Sequence, residues 1–149
     1  MTTEAEVYNA LKYHVVVDSY GTRRYYNSAD QLHRLDGPAV ERSDGTKEWC
    51  QNGLHHREDG PAVERADGSK FWHQNGKLHR EDGPAAVWSD GDLHWFQQGL
   101  LHREDGPAVV RFNATVREWY LRGVQYTEKQ YNQQCKHLGL AGQTRNQYG

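Results

Sequence analysis

Apolar and polar positions alternate along this chain in short runs, and the runs recur with a fixed period. Ala-Val is followed by polar residues and an Asp-Gly pair, then by an aromatic residue four positions on, then by a second polar turn. The string DGPA stands at 36–39, 59–62, 82–85 and 105–108, a spacing of 23 residues. His-Arg precedes each string, at 33–34, 56–57, 79–80 and 102–103. Trp49, Trp72 and Trp95 keep step, Tyr26 takes that place one unit earlier, and Trp119 continues the series one residue late. A short alternating run bounded by turn residues reads as a β-strand. Asp44-Gly45, Asp67-Gly68 and Asp90-Gly91 suit tight hairpin turns that need positive φ, and Asn52-Gly53 and Asn75-Gly76 mark a second turn in each unit. The pattern therefore predicts a mainly β fold: an elongated antiparallel meander of about four and a half tandem hairpin repeats over residues 13–126, read as one domain.

The ends depart from the repeat as caps should. Tyr20-Gly21 and Ala29-Asp30 hold the turn positions of the first unit, and Asn113-Ala114 replaces Asp-Gly in the last. Thr3 and Glu6 fit a capping box for a short N-terminal helix over 1–12, and Thr127 and Gln130 fit one for a C-terminal helix over 127–138. In that second helix Tyr131, Cys135 and Leu138 form a narrow apolar stripe, for which the end of the sheet is the expected cover. Residues 139–149 read as a flexible tail.

Composition narrows the picture. The chain has 149 residues, only 36% of them hydrophobic, yet five Trp and nine Tyr. Such a chain suits a thin sheet packed by aromatics rather than a thick aliphatic core. A net charge of −2 points to no general affinity for nucleic acid or membrane. Cys50 and Cys135 belong to no CxxC pair, and sequence leaves their pairing open. No signal-peptide pattern and no apolar span of about 20 residues are present, so a cytoplasmic protein is expected.

The stretches HRLDGPAV at 33–40, HREDGPAV at 56–63, HREDGPAA at 79–86 and HREDGPAV at 102–109 resemble a variant of the MORN repeat found in small bacterial and bacteriophage proteins. The resemblance covers residues 14–126. It implies a β-hairpin array used for binding, in a group that includes antitoxin-like proteins, and it brings no catalytic residues.

A residue present in every unit is first a structural residue, because a specific site need occur only once. The repeated His, Arg and Asp are read that way. Neighbouring units stand about 10 Å apart, too far for equivalent His to share a metal. His55 and His56 with Cys50 or His73 form the only local cluster that could converge on zinc, and no metal or other cofactor is expected. The chain has no nucleophile elbow, P-loop, HExxH or dinucleotide fingerprint.

With a two-residue Asp-Gly turn, Val40 lies across from Trp49 and Arg42 across from Lys47, and likewise Val63 from Trp72 and Arg65 from Lys70. One face then carries Trp beside a row of basic pairs, which must be compensated because like charges face each other. In the fourth unit Trp88 and Leu93 replace the basic pair, and Phe96 stands where Cys50 and His73 stand earlier. Val110, Phe112 and Leu121 extend this apolar end. The expected partner-binding set is Arg42, Lys47, Trp49, Arg65, Lys70, Trp72, Trp88, Trp95 and Phe96. The expected partner is a host or defence protein, with nucleic acid or an anionic ligand as the alternative, a His-dependent hydrolase as a further one, and a homodimer compatible with open sheet edges.

Overall fold

The computed structural model describes residues 13–111 and 113–142. The N-terminal helix expected over 1–12, and most of the tail, lie outside the described residues. The chain begins with β1 (His14–Val17) and β2 (Arg23–Tyr26). The first full unit then runs through β3 (Val40–Glu41), β4 (Lys47–Glu48), β5 (Cys50–Gln51) and β6 (Leu54–His55). The next holds β7 (Val63–Glu64), β8 (Lys70–Phe71), β9 (His73–Gln74) and β10 (Lys77–Leu78). It is followed by β11 (Ala86–Val87), β12 (Leu93–His94), β13 (Phe96–Gln97) and β14 (Leu100–Leu101). The last strands are β15 (Val109–Arg111), β16 (Val116–Leu121) and β17 (Val124–Tyr126), ahead of helix α1 (Glu128–Leu138).

Each unit contributes two hairpins with different fates. The Asp-Gly hairpins join laterally into one antiparallel sheet of 11 strands, in the order β1-β2-β3-β4-β7-β8-β11-β12-β15-β16-β17. The second hairpins, β5-β6, β9-β10 and β13-β14, form separate two-stranded ladders beside it. Asn52 and Gly53 sit at φ 49° and 80°, the left-handed pair that a two-residue hairpin turn requires.

The Asp-Gly turn is not a two-residue turn. Arg42 N–H donates to the Thr46 carbonyl at 2.9 Å and Gly45 N–H to the Arg42 carbonyl at 3.0 Å. That is a three-residue loop with Gly45 at φ 95° in the bulge position. Val40 therefore pairs with Glu48 and Glu41 with Lys47, one residue away from the expected register. A one-residue slip moves every later side chain to the other face. The row across one face reads Arg24, Val40, Glu48, Val63, Phe71, Ala86, His94, Val109, Glu118. The row across the opposite face reads Arg23, Glu41, Lys47, Glu64, Lys70, Val87, Leu93, Val110, Arg117. The second row alternates in sign before turning apolar. The like-charge opposition expected from the shorter turn does not arise, and no compensating anion is needed.

The HRxDGPA string explains itself in this geometry. Each guanidinium lies flat on an aromatic ring: Arg57 at 3.9 Å from Trp49, Arg80 at 4.0 Å from Trp72, Arg103 at 4.0 Å from Trp95. Its Nε donates to the Asp two residues on, at 3.0, 2.8 and 2.7 Å respectively, and its Nη1 to the Pro carbonyl. The Gly completes the slot, since a Cβ on Gly83 or Gly106 would stand 3.0 Å from the guanidinium carbon. Ala39, Ala62, Ala85 and Ala108 are fully buried. The carbonyls of Ala62, Ala85 and Ala108 accept from the N–H of Trp49, Trp72 and Trp95. In the first unit Arg34 stacks on Tyr25 at 4.0 Å, so Tyr25 and not Tyr26 holds the Trp position. The inserted residue of that unit, in its Asn27–Gln31 turn, accounts for the offset.

The repeated His joins consecutive units. His33, His56, His79 and His102 accept at Nδ1 from the backbone N–H of Asn52, Asn75, Gln98 and Arg122, at 3.0, 3.0, 3.1 and 2.9 Å. An imidazole accepting at Nδ1 carries its proton on Nε2, which in His56 meets Glu58 at 2.9 Å. Thr46 and Ser69 add a hydroxyl link, accepting from Ala66 N–H at 3.1 Å and Ser89 N–H at 3.0 Å. Such nearest-neighbour bonds are what a stacked array needs.

Helix α1 forms as its capping box requires. The Thr127 hydroxyl accepts from Gln130 N–H and the Gln130 side chain accepts from Thr127 N–H, while Gly139 ends the helix at φ 70°. Tyr131 and Cys135 bury against Leu121, with Trp119, Tyr126 and Leu140 around them. The stripe does not continue to Leu138, which is 57% exposed. Leu140 takes its place because the left-handed Gly139 turns the chain back under the helix. Cys50 and Cys135 are both free and buried. Among the described residues no helix is long and apolar enough to cross a membrane.

Candidate functional site

The expected binding set divides between the two faces. Trp49, Trp72 and Trp95 lie beneath the stacked arginines, and Trp95 is buried. Lys47 pairs with Glu41 on one side and Glu64 on the other, and Lys70 with Glu64 and Val87. These five residues stand on the scaffold face. Arg42, Arg65, Trp88 and Phe96 stand with the opposite row, joined by residues that the shorter turn had hidden.

On that opposite face the sheet and the small hairpins form two walls of a groove of about 660 Å³. Glu48, Val63 and Phe71 line the sheet wall, and His55, His73 and Leu78 the hairpin wall, with Arg42 and Arg65 at the rim. One end of the groove is a polar cluster. Arg42 donates twice to Glu48 Oε1, at 2.9 and 2.6 Å, and His55 Nε2 meets Glu48 Oε2 at 2.9 Å. These bonds, the His55 contact foremost and Arg42 after it, hold the Glu48 carboxyl down at about 2 against its burial.

One unit later Phe71 stands at the Glu48 position, and two units later Trp88 stands at the Arg42 position. Phe71 packs edge-on against Trp88 with ring centres 4.8 Å apart, and Arg65 caps both rings at 4.8 and 5.6 Å. Among the described residues Arg65 has no ion pair, unlike Arg42. Trp88 meets His94 and His94 meets Phe96, each at 6.4 Å. The His55 and His73 rings lie 5.2 Å apart, tilted by 43°, whereas His56 turns away to Asn75 and Glu58. The local His set considered for a metal is thus split between two places. His73 Nδ1, Trp88 Nε1 and His94 Nε2 are buried atoms without a protein partner. A buried polar atom with no partner costs free energy. The site is therefore an aromatic strip, capped by one arginine and carrying unanswered ring nitrogens.

Phe71 and His94 were not among the residues expected to bind. Their signal lay in the column just before each Trp, which reads Glu48, Phe71, His94 and Glu118 and changes from carboxylate to aromatic in the middle units. The wrong turn length assigned that column to the other face.

Burial pushes the His73 imidazole down to about 4, with His55 adding to it, and burial lowers His94 too, assisted by Arg111. Both are neutral in the native state at neutral pH. Between pH 6.5 and about 4 the unfolded chain binds protons that native His73 refuses, so stability falls as pH drops through that window. Glu48 behaves as a depressed carboxyl: its contribution is complete above 4.5 and is lost as pH falls towards about 2. Urea midpoints are expected to fall in these two successive windows. His73→Phe, which copies Phe96 at the same place in the next unit, is expected to flatten the upper one. An unchanged slope above pH 4.5 in that variant would refute the assignment.

No protein family, curated protein or solved structure matches this chain.

Proposed function

We propose that this chain is a non-catalytic protein-binding module that grips a partner protein along the aromatic strip of Arg65, Phe71, Trp88, His94 and Phe96. The observation that carries this reading is the break in the repeat: a polar Arg42–Glu48 pair gives way to Arg65 over Phe71 and Trp88. Aromatic side chains beside an arginine are the residues that dominate binding energy at protein interfaces. The HREDGPA resemblance supports a small cytoplasmic inhibitor or antitoxin-like protein of bacterial or phage origin, acting on a host or defence protein. Nucleic acid is the weaker reading, because Lys47 lies between two glutamates and Lys70 beside one. A hydrolase built on the His-Arg-Asp ladder is weaker still, since those side chains are engaged in joining and bracing the units.

The test replaces the strip by residues that the repeat itself uses. Phe71→Glu copies Glu48 and Trp88→Arg copies Arg42 at the equivalent positions. The double variant is expected to fold. The partner is first captured from the native host with the wild-type chain, and its affinity for the two chains is then compared. A loss of at least about 30-fold is expected, the equivalent of one interfacial hot spot. Capture at undiminished affinity would place the interface elsewhere.

A further inference from the structure

The first strand of the large sheet is unlike the rest. Strand β1, His-Val-Val-Val, is exposed along its whole length, with Val15, Val16 and Val17 at 43, 38 and 57%. It pairs with β2 on one side, and among the described residues no strand pairs with its other side. Natural sheets protect such an edge with lysine, proline or a bulge, and β1 has none. At the far end of the sheet helix α1 packs on β16 and β17.

The hydrogen-bond pattern fixes which atoms β1 offers. Tyr25 donates its N–H to Ala39 at 2.8 Å, away from β1, so its neighbour Val15 is in a pair without mutual bonds. Asp18 N–H donates to the Thr22 carbonyl at 3.1 Å, which sets the alternation. Val16 and Asp18 thus bond inward to β2, while Val15 and Val17 direct N–H and C=O out of the sheet.

We infer that β1 is a self-association edge, on which a second copy of this chain adds its own β1 antiparallel about a two-fold axis at Val16. In this register Val15 bonds with the partner's Val17, and Val17 with the partner's Val15. Val16 faces the partner's Val16 in a pair without mutual bonds, where side chains approach closest. His14 falls opposite the partner's Asp18, so an imidazole meets a carboxylate. The competing register, centred on Val15, would set Tyr13 against a valine. Tyr13 is already buried, with its hydroxyl accepting from Leu35 N–H at 2.9 Å. A two-fold pairing is closed, because each copy uses its single β1. So short a ladder makes a weak, concentration-dependent dimer.

Sedimentation of the full chain from low to high micromolar concentration is expected to show the mass rising from one chain towards two. Val16→Lys places like charges across the axis and is expected to weaken association at least tenfold. Val16→Glu alone is expected to do the same, and mixing the two variants is expected to restore it. If a charge variant fails to fold, Val16→Cys decides, because it is expected to form a disulfide-linked dimer that Val15→Cys does not. The inference is overturned by a wild-type chain that stays monomeric, by assemblies larger than two, or by Val16→Lys associating like wild type. It is equally overturned by a mixture no stronger than its components, or by equal cross-linking of the two cysteine variants.

Discussion

Replacing Arg103 by alanine is expected to destabilise the fold by about 2–3 kcal/mol, since it strips a buried carbonyl of its donor and an indole of the cation over it. The Arg103 side chain is only 3% exposed. It stacks on Trp95 at 4.0 Å, donates to Asp105 at 2.7 Å and to the Pro107 carbonyl at 3.1 Å. Alanine removes all three contacts, and the Pro107 carbonyl loses this donor in a dry setting. Lysine is expected to recover little, because a point charge on a flexible stem cannot lie flat on an indole and donate twice at a fixed angle. Gly106→Ala attacks the same slot from its other side, since its Cβ would stand 3.0 Å from the guanidinium carbon. Arg57 makes the same contacts with a side chain 23% exposed, so water can replace part of what alanine removes there. Urea unfolding of both variants checks this. A loss at Arg103 no larger than at Arg57 would show that burial does not set the strength of the slot.

Tyr131→Ala is expected to cost about 3–5 kcal/mol, as for a buried aromatic cut to alanine. Tyr131 is fully buried between helix α1 and the last HREDG loop. Its hydroxyl donates to the Arg103 carbonyl at 2.7 Å and accepts from Gly106 N–H at 3.2 Å. Burial pushes the phenol well up, so the neutral hydroxyl serves as donor and acceptor at once. Tyr131→Phe keeps the ring and is expected to cost about 1–3 kcal/mol, leaving two buried backbone groups without this partner. Arg103 and Tyr131 brace one loop from opposite sides, so their costs are expected not to add. The Arg103→Ala, Tyr131→Phe double variant, compared with both singles by urea unfolding, measures the coupling. Strict additivity would show that the helix and the stacked arginine act on the loop separately. A tyrosine does the corresponding work at the other end, where Tyr13 accepts from Leu35 N–H.

The period, the turn positions, the α1 capping box and the scaffold role of HRxDGPA were all legible in the residues, because each depends on local chemistry. Asn-Gly requires positive φ, Thr127 and Gln130 stand at capping-box spacing, and residues present in every unit serve the unit. The face on which each side chain stands was not legible. It hinged on whether the Asp44-Gly45 turn closes over two residues or three, a difference set by where the Arg42 and Thr46 backbones meet. That one residue carried Phe71 and His94 onto the groove's face of the sheet and moved Lys47 between two glutamates. Equally hidden was the reach of the ladder His to the next unit's turn, 19 residues along the chain, and of Tyr131 to a loop 28 residues back. The sequence by itself determined the repeat and its turns, through backbone preferences acting within a few residues. Only the tertiary structure decided the faces, the aromatic strip and the closed slots, because those follow from strand register and from contacts between units.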